Sequence, residues 1–85
     1  MRLFQIHQAS LPSLLTLVQP DDRLLLRRDA VYLLLRTQNW PCQVSVLQQD
    51  LQQRDVACPE SVSILSDEEW VELTLLASQV IACPD

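Results

Sequence analysis

The chain has 85 residues, 48% of them hydrophobic, and carries six arginines against eleven acidic residues for a formal net charge of −5. That length holds one domain, residues 1–85, and buries only roughly 60 to 65% of its unfolded surface, so a partner would add stability. With no glycine anywhere, glycine-dependent phosphate loops are excluded, and arginines scattered along an acidic chain give no stripe for direct nucleic-acid binding.

Five prolines punctuate the sequence at positions 12, 20, 41, 59 and 84, each where a periodic apolar segment starts or ends. A first strand is predicted over Leu3 to His7. A helix follows from Ser10, which can cap it, with Pro12 tolerated in its first turn and Leu11, Leu14, Leu15 and Val18 on its buried side. The second strand, Arg23 to Arg27, carries Leu24, Leu25 and Leu26 in succession, as a strand covered on both faces should. Asp29 then opens a second helix that runs to about Leu35.

After the loop 37–41, Cys42, Val44 and Val46 alternate with Gln43 and Ser45 in a third strand, Cys42 to Leu47. A glutamine-rich helix around Asp50 to Arg54 is held by Leu47, Leu51 and Val56. The fourth strand is Val62 to Leu65, and Ser66 with Glu69 forms a capping box for a helix that ends near Ala77. A last short strand is predicted over Gln79 to Ala82. Strands alternating with short helices imply an α/β fold: a three-layer α/β/α domain on a mainly parallel sheet of four to five strands.

Function in such a sheet gathers at the carboxyl ends of the strands. There lie His7, then Arg27, Arg28 and Asp29, then Gln48, Gln49 and Asp50, then Ser66, Asp67 and Glu68. Capping accounts for Asp29, Ser66 and Asp67. His7 could serve as an acid or base, but no nucleophile sits at a matching spacing, and a hydrogen-bonded structural histidine explains it better. Arg27 and Arg28 read either as an anion holder or as a solvated pair beside Asp29.

Cys42 and Cys58 are expected at the opposite, amino edge as buried or incidental thiols. Cys83, beyond the last strand, is the candidate persulfide carrier, although no neighbouring cation is there to lower its pKa. The odd number and wide spacing of the cysteines do not resemble a secreted disulfide framework, and no Cys-x-x-Cys pair points to zinc. No metal or cofactor is expected. The opening residues lack a signal-peptide core, and no apolar run approaches about 18 residues. The expectation is a cytoplasmic protein without membrane association.

The surplus of apolar surface is more informative. The second helix, Ala30 to Leu35, is hydrophobic almost all round, and the last offers Trp70, Val71, Leu73, Leu75 and Leu76 over more than one face. Tyr32, Leu35, Trp70 and Leu75 are therefore candidates for a subunit interface; the other reading is that one helix is wrapped more fully by its own chain.

Asp29-Ala30-Val31-Tyr32 after a leucine-rich strand resembles a motif of the DsrH/TusB family of sulfur-relay proteins. Ile6-His7-Gln8-Ala9-Ser10 is similar to that family's opening, Val46-Leu47-Gln48-Gln49-Asp50-Leu51 with Arg54 to its third strand and next helix, and Trp70-Val71-Glu72-Leu73-Thr74 to its last helix. The resemblance implies a TusB-like, non-catalytic subunit of a heterohexamer with TusC-like and TusD-like partners, the latter holding the working cysteine. Such a complex passes persulfide sulfur toward 2-thiolation of the wobble uridine of tRNA. It also leaves open a sulfur carrier of a DsrEFH-like sulfur-oxidation complex, although the segment Leu11 to Pro20, where such relatives carry a cysteine, has none. A homo-oligomeric interaction module is the remaining alternative. Relatives often have glycine where this chain has Ala30 and Asp55, a Lys-His pair at Leu76-Ala77, and a terminal Trp near Cys83.

Overall fold

A computed structural model describes residues 1–8, 16–36 and 39–82. Five strands form one sheet: β1 (Arg2–Ile6), β2 (Arg23–Leu26), β3 (Gln43–Leu47), β4 (Ser63–Leu65) and β5 (Gln79–Ala82). Their order is β4-β3-β2-β1-β5 and every neighbouring pair is parallel. The α/β class and layered architecture expected from the alternating pattern are those observed. Register decides which residues share a face. Phe4, Leu24 and Val44 form one row across the sheet and Ile6, Leu26 and Val46 the next, while Gln5, Leu25 and Ser45 fall between them and point the other way.

The first face is closed by a 3-10 helix, Arg28–Leu35, and by α1, Gln48–Arg54. The helix expected over Asp29 to Leu35 has 3-10 rather than α geometry, and it is wrapped more fully than its hydrophobic sequence suggests. At three residues per turn, side chains three apart stack in columns. Ala30 with Leu33 and Val31 with Leu34 make two buried columns, and Tyr32 with Leu35 makes the exposed one. Asp29 does not cap this helix, whose N-cap position is Arg27 and lacks a side-chain cap bond.

Among the described residues, the second face is covered by α2, Asp67–Leu76. Its start is as expected: Ser66 Oγ accepts from the Glu69 backbone N–H at 3.2 Å, and Glu69 Oε1 accepts from the Ser66 N–H at 3.1 Å. Leu73 is its buried residue, packed with Leu3 and Leu25, while Met1, Leu65, Trp70 and Ala77 pack around them. Val71, Leu75 and Leu76 face outward. The helix expected from Ser10 falls mostly outside the described residues.

At the amino edge, Asp22 is buried beneath four donors: the Arg2 backbone N–H at 3.1 Å, Arg2 Nε at 3.3 Å, Arg2 Nη2 at 2.8 Å and the Gln19 N–H at 2.9 Å. The Arg2 hydrogen bond, followed by that from Gln19, lowers the Asp22 carboxyl to about 2. This network ties the start of β1 to the turn before β2.

Candidate functional site

Chain order and sheet order diverge at one place. From β1 the chain adds β2, β3 and β4 on one side, then returns in α2 across the second face and sets β5 on β1's other side. Such a reversal marks, in open α/β sheets, the place where ligands bind, here the carboxyl ends of β1 and β5. His7 leaves β1 there. The residues expected at this rim are indeed on it, and the structure joins several of them into one network.

Arg27 is its centre. Its backbone N–H still donates to Ile6 O at 2.8 Å, so it extends β2 by one residue. Arg28 then takes φ 52°, a left-handed conformation that costs a non-glycine residue roughly 1 to 2 kcal/mol and turns the chain sharply into the 3-10 helix. The Arg27 side chain is not a solvated partner of Asp29. Its guanidinium lies 4.1 Å from the centre of the Trp70 ring, and its Nε is 3.5 Å from Asp50 Oδ2. Because β3 runs straight into α1, Asp50 is delivered to the rim beside β2. Four residues further along α1, Arg54 places Nη1 3.9 Å from Asp50 Oδ1 and donates from Nε to Asp29 Oδ1 at 3.0 Å.

Arg27, Asp50, Arg54 and Asp29 thus alternate in sign and neutralise one another. Asp50 is buried, and its Oδ2 and Arg27 Nε lack hydrogen-bond partners of good geometry among the described residues; their attraction is that of an ion pair. Burial, and then the positive charges of Arg27 and Arg28, lower the pKa of His7, against a smaller opposing pull from Asp50. The neutral form of His7 is thereby favoured beside the network. Beside it, Gln48, Gln49, Gln52, Leu65, Ser66 and Asp67 line a shallow depression of ≈ 260 Å³ between the starts of α1 and α2.

The thiols lie elsewhere. Cys42 precedes β3 and Cys58 precedes β4, on the amino edge as expected. Burial, and then the charge of Asp22, push Cys42 up to about 11; burial raises Cys58 as well. Neither is a ready nucleophile, since the reactive form is the thiolate. Cys83 lies outside the described residues. Among the described residues, the carboxyl rim offers charge, hydrogen bonds and an aromatic surface. Sequence reasoning missed Trp70 as the platform for Arg27. The one available signal was its place one turn into the helix that follows β4, near the same rim.

The sequence profile described as DsrH like protein matches residues 5–80. The chain belongs to the DsrH-like family. That is a family of sulfur-relay subunits, and membership gives the chain a role related to sulfur relay. The crystal structure of the YchN protein from E. coli has the same fold, with a TM-score of 0.72 at 20% identity over 95% of this chain and 97% of that one. No curated protein matches the chain. Among the described residues, no helix is long and apolar enough to cross a membrane.

Proposed function

We propose that this DsrH-like chain is a non-catalytic, cytoplasmic subunit of a hetero-oligomeric complex that passes persulfide sulfur toward 2-thiolation of the tRNA wobble uridine. TusC-like and TusD-like chains are its partners in a heterohexamer, and the TusD-like chain holds the working cysteine. The observation that carries the reading is the state of its own sulfur: Cys42 is held near 11 and Cys58 is raised, both on the edge away from the rim. A family member whose described thiols are this inert assists transfer between other chains. Contact with tRNA falls to a partner, because Arg2, Arg27 and Arg54 are engaged with Asp22, Asp50 and Asp29.

Tyr32, Leu35, Trp70 and Leu75 are the proposed interface residues. Leu75 and Leu35 project furthest, at 79% and 65% exposure, Tyr32 is less exposed, and Trp70 is half-buried with one ring face already under Arg27. Co-expression with two DsrE-like chains should give one stable assembly that restores 2-thiouridine in tRNA of cells lacking the complex. A chain that stays monomeric in their presence would sink the proposal. Loading the assembly with a persulfide donor should add sulfur to the partner cysteine, as read by intact mass, and leave this chain unmodified; sulfur found on Cys83 would instead favour the carrier reading.

A further inference from the structure

The outward side of α2 has two unlike halves. Leu73 and Trp70 turn toward the sheet, which leaves Val71, Leu75 and Leu76 outside at 54, 79 and 77% exposure. Val71 and Leu75 are four apart and share one side of the helix. So do Glu68 and Glu72, both exposed: Glu68 stands at the helix start with Asp67 and Glu69, and Glu72 follows Val71 one turn before Leu75 and Leu76, so carboxylates border the leucines on their N-terminal side. The helix has four carboxylates and no basic residue. Val80 of β5 is also exposed, just beyond the helix's C-terminal end.

We infer that this surface docks a different protein, one presenting an apolar patch bordered on one side by lysine or arginine, and that the carboxylates of Glu68 and Glu72 select against a second copy of the chain. This rests on the hetero-oligomeric reading above and names the chemistry of the partner at one face. The apolar half gives the area whose removal from water favours association. The acidic half sets which partner is accepted, because burying its carboxylates without counter-charges is costly.

A second copy meets that cost in either twofold arrangement. With the helices antiparallel, the acidic half of one lies on the leucines of the other. With them parallel, carboxylate meets carboxylate. A partner with a basic border resolves both problems at once. The same composition works against the homo-oligomeric alternative.

The test is assembly of the full chain with the co-expressed DsrE-like pair, measured as a dissociation constant at low and high salt. Leu75→Asp and the double variant Glu68→Lys/Glu72→Lys are compared with wild type, each checked for unchanged folding by circular dichroism. Both should weaken assembly roughly tenfold or more, and the double variant should also lose the salt dependence seen in the wild type. Assembly that forms and ignores both changes overturns the inference while leaving the proposed function standing. Self-association of the lone chain that Leu75→Asp abolishes overturns it too, since a second copy would then occupy the face. If no assembly forms with those chains, the proposed function fails, and the surface is judged by a synthetic amphipathic helix with a leucine stripe. The lysine-bordered peptide should bind wild type and neither variant, and equal binding of its glutamate-bordered counterpart would overturn the inference.

Discussion

The two faces of the sheet are built from the same strands and end in opposite conditions. Twelve buried residues close the first, drawn from three strands, the 3-10 helix, α1 and Val62. On the second, the buried cluster is Leu3, Leu25 and Leu73, with partly covered neighbours. The sheet's second side also carries Gln5 and the fully buried Ser45, whose hydroxyl has no hydrogen-bond partner among the described residues. The difference teaches where the fold is self-sufficient. Columns of buried residues on a 3-10 helix satisfy the first face from within the chain, whereas one helix laid over the second leaves its own outer side apolar.

The largest test of this contrast sets Leu26 against Leu75. Leu26→Ala should cost about 2 to 5 kcal/mol by urea denaturation, a large fraction of the stability of a small domain, because it opens a cavity in the closed face. Leu75→Ala should change stability by about 0.5 kcal/mol or less. A large loss at Leu75 would mean that the second face is closed by the chain itself.

Next is Arg27, which bridges the rim and α2. Arg27→Ala removes a stacked cation and leaves the buried Asp50 with only the more distant Arg54, at a cost of about 2 to 3 kcal/mol. The Trp70 fluorescence should shift in the folded variant as its ring loses its cover. An unshifted spectrum would show that Trp70 is held by Leu73 and Leu65 without Arg27.

The two edges should separate by pH. The Asp22 pKa is lowered in the fold, so its contribution is fully present above the ordinary carboxylate range and is lost as pH falls from there through about 2. Asp22→Asn should flatten that acid limb of a stability curve. His7 is also lowered, so protonation opposes folding, and stability should begin to decline as pH falls below roughly 6.5. His7→Gln should remove the decline near neutrality and leave the acid limb intact.

The smallest effect concerns α1, which lies over the closed face. Asp55 ends it at φ 52°, ψ 46°, the left-handed position that glycine fills without a steric penalty. Asp55→Gly should raise stability by about 0.5 to 1 kcal/mol, seen as a few degrees in Tm. The left-handed backbone also explains why glycine is expected here by resemblance, although this chain carries aspartate.

Much of this was legible without coordinates, for reasons that differ by element. Period-2 alternation located β3, the run Leu24 to Leu26 marked a strand covered on both sides, and Ser66 with Glu69 named the start of α2, because each depends on neighbours in sequence. The rim was legible as a set of positions, since parallel strands place their carboxyl ends together. The pairing within it was not. Asp29 and Arg27 look like natural partners two residues apart, but the left-handed turn at Arg28 sends their side chains to different places.

The sequence alone determined the class of fold, the placement of Cys42 and Cys58 at the amino edge, the lack of any glycine phosphate loop and the apolar excess of the last helix. These follow from local pattern, composition and strand polarity. Only the tertiary structure decided that Arg27 stacks on Trp70 and pairs with Asp50, that Arg54 completes the network, and that Ala30, Val31, Leu33 and Leu34 of the greasy segment are covered while Tyr32, Leu35 and the end of α2 are not. Each of those depends on which strand lies beside which and on how many residues make a turn. A hydrophobic count registers neither.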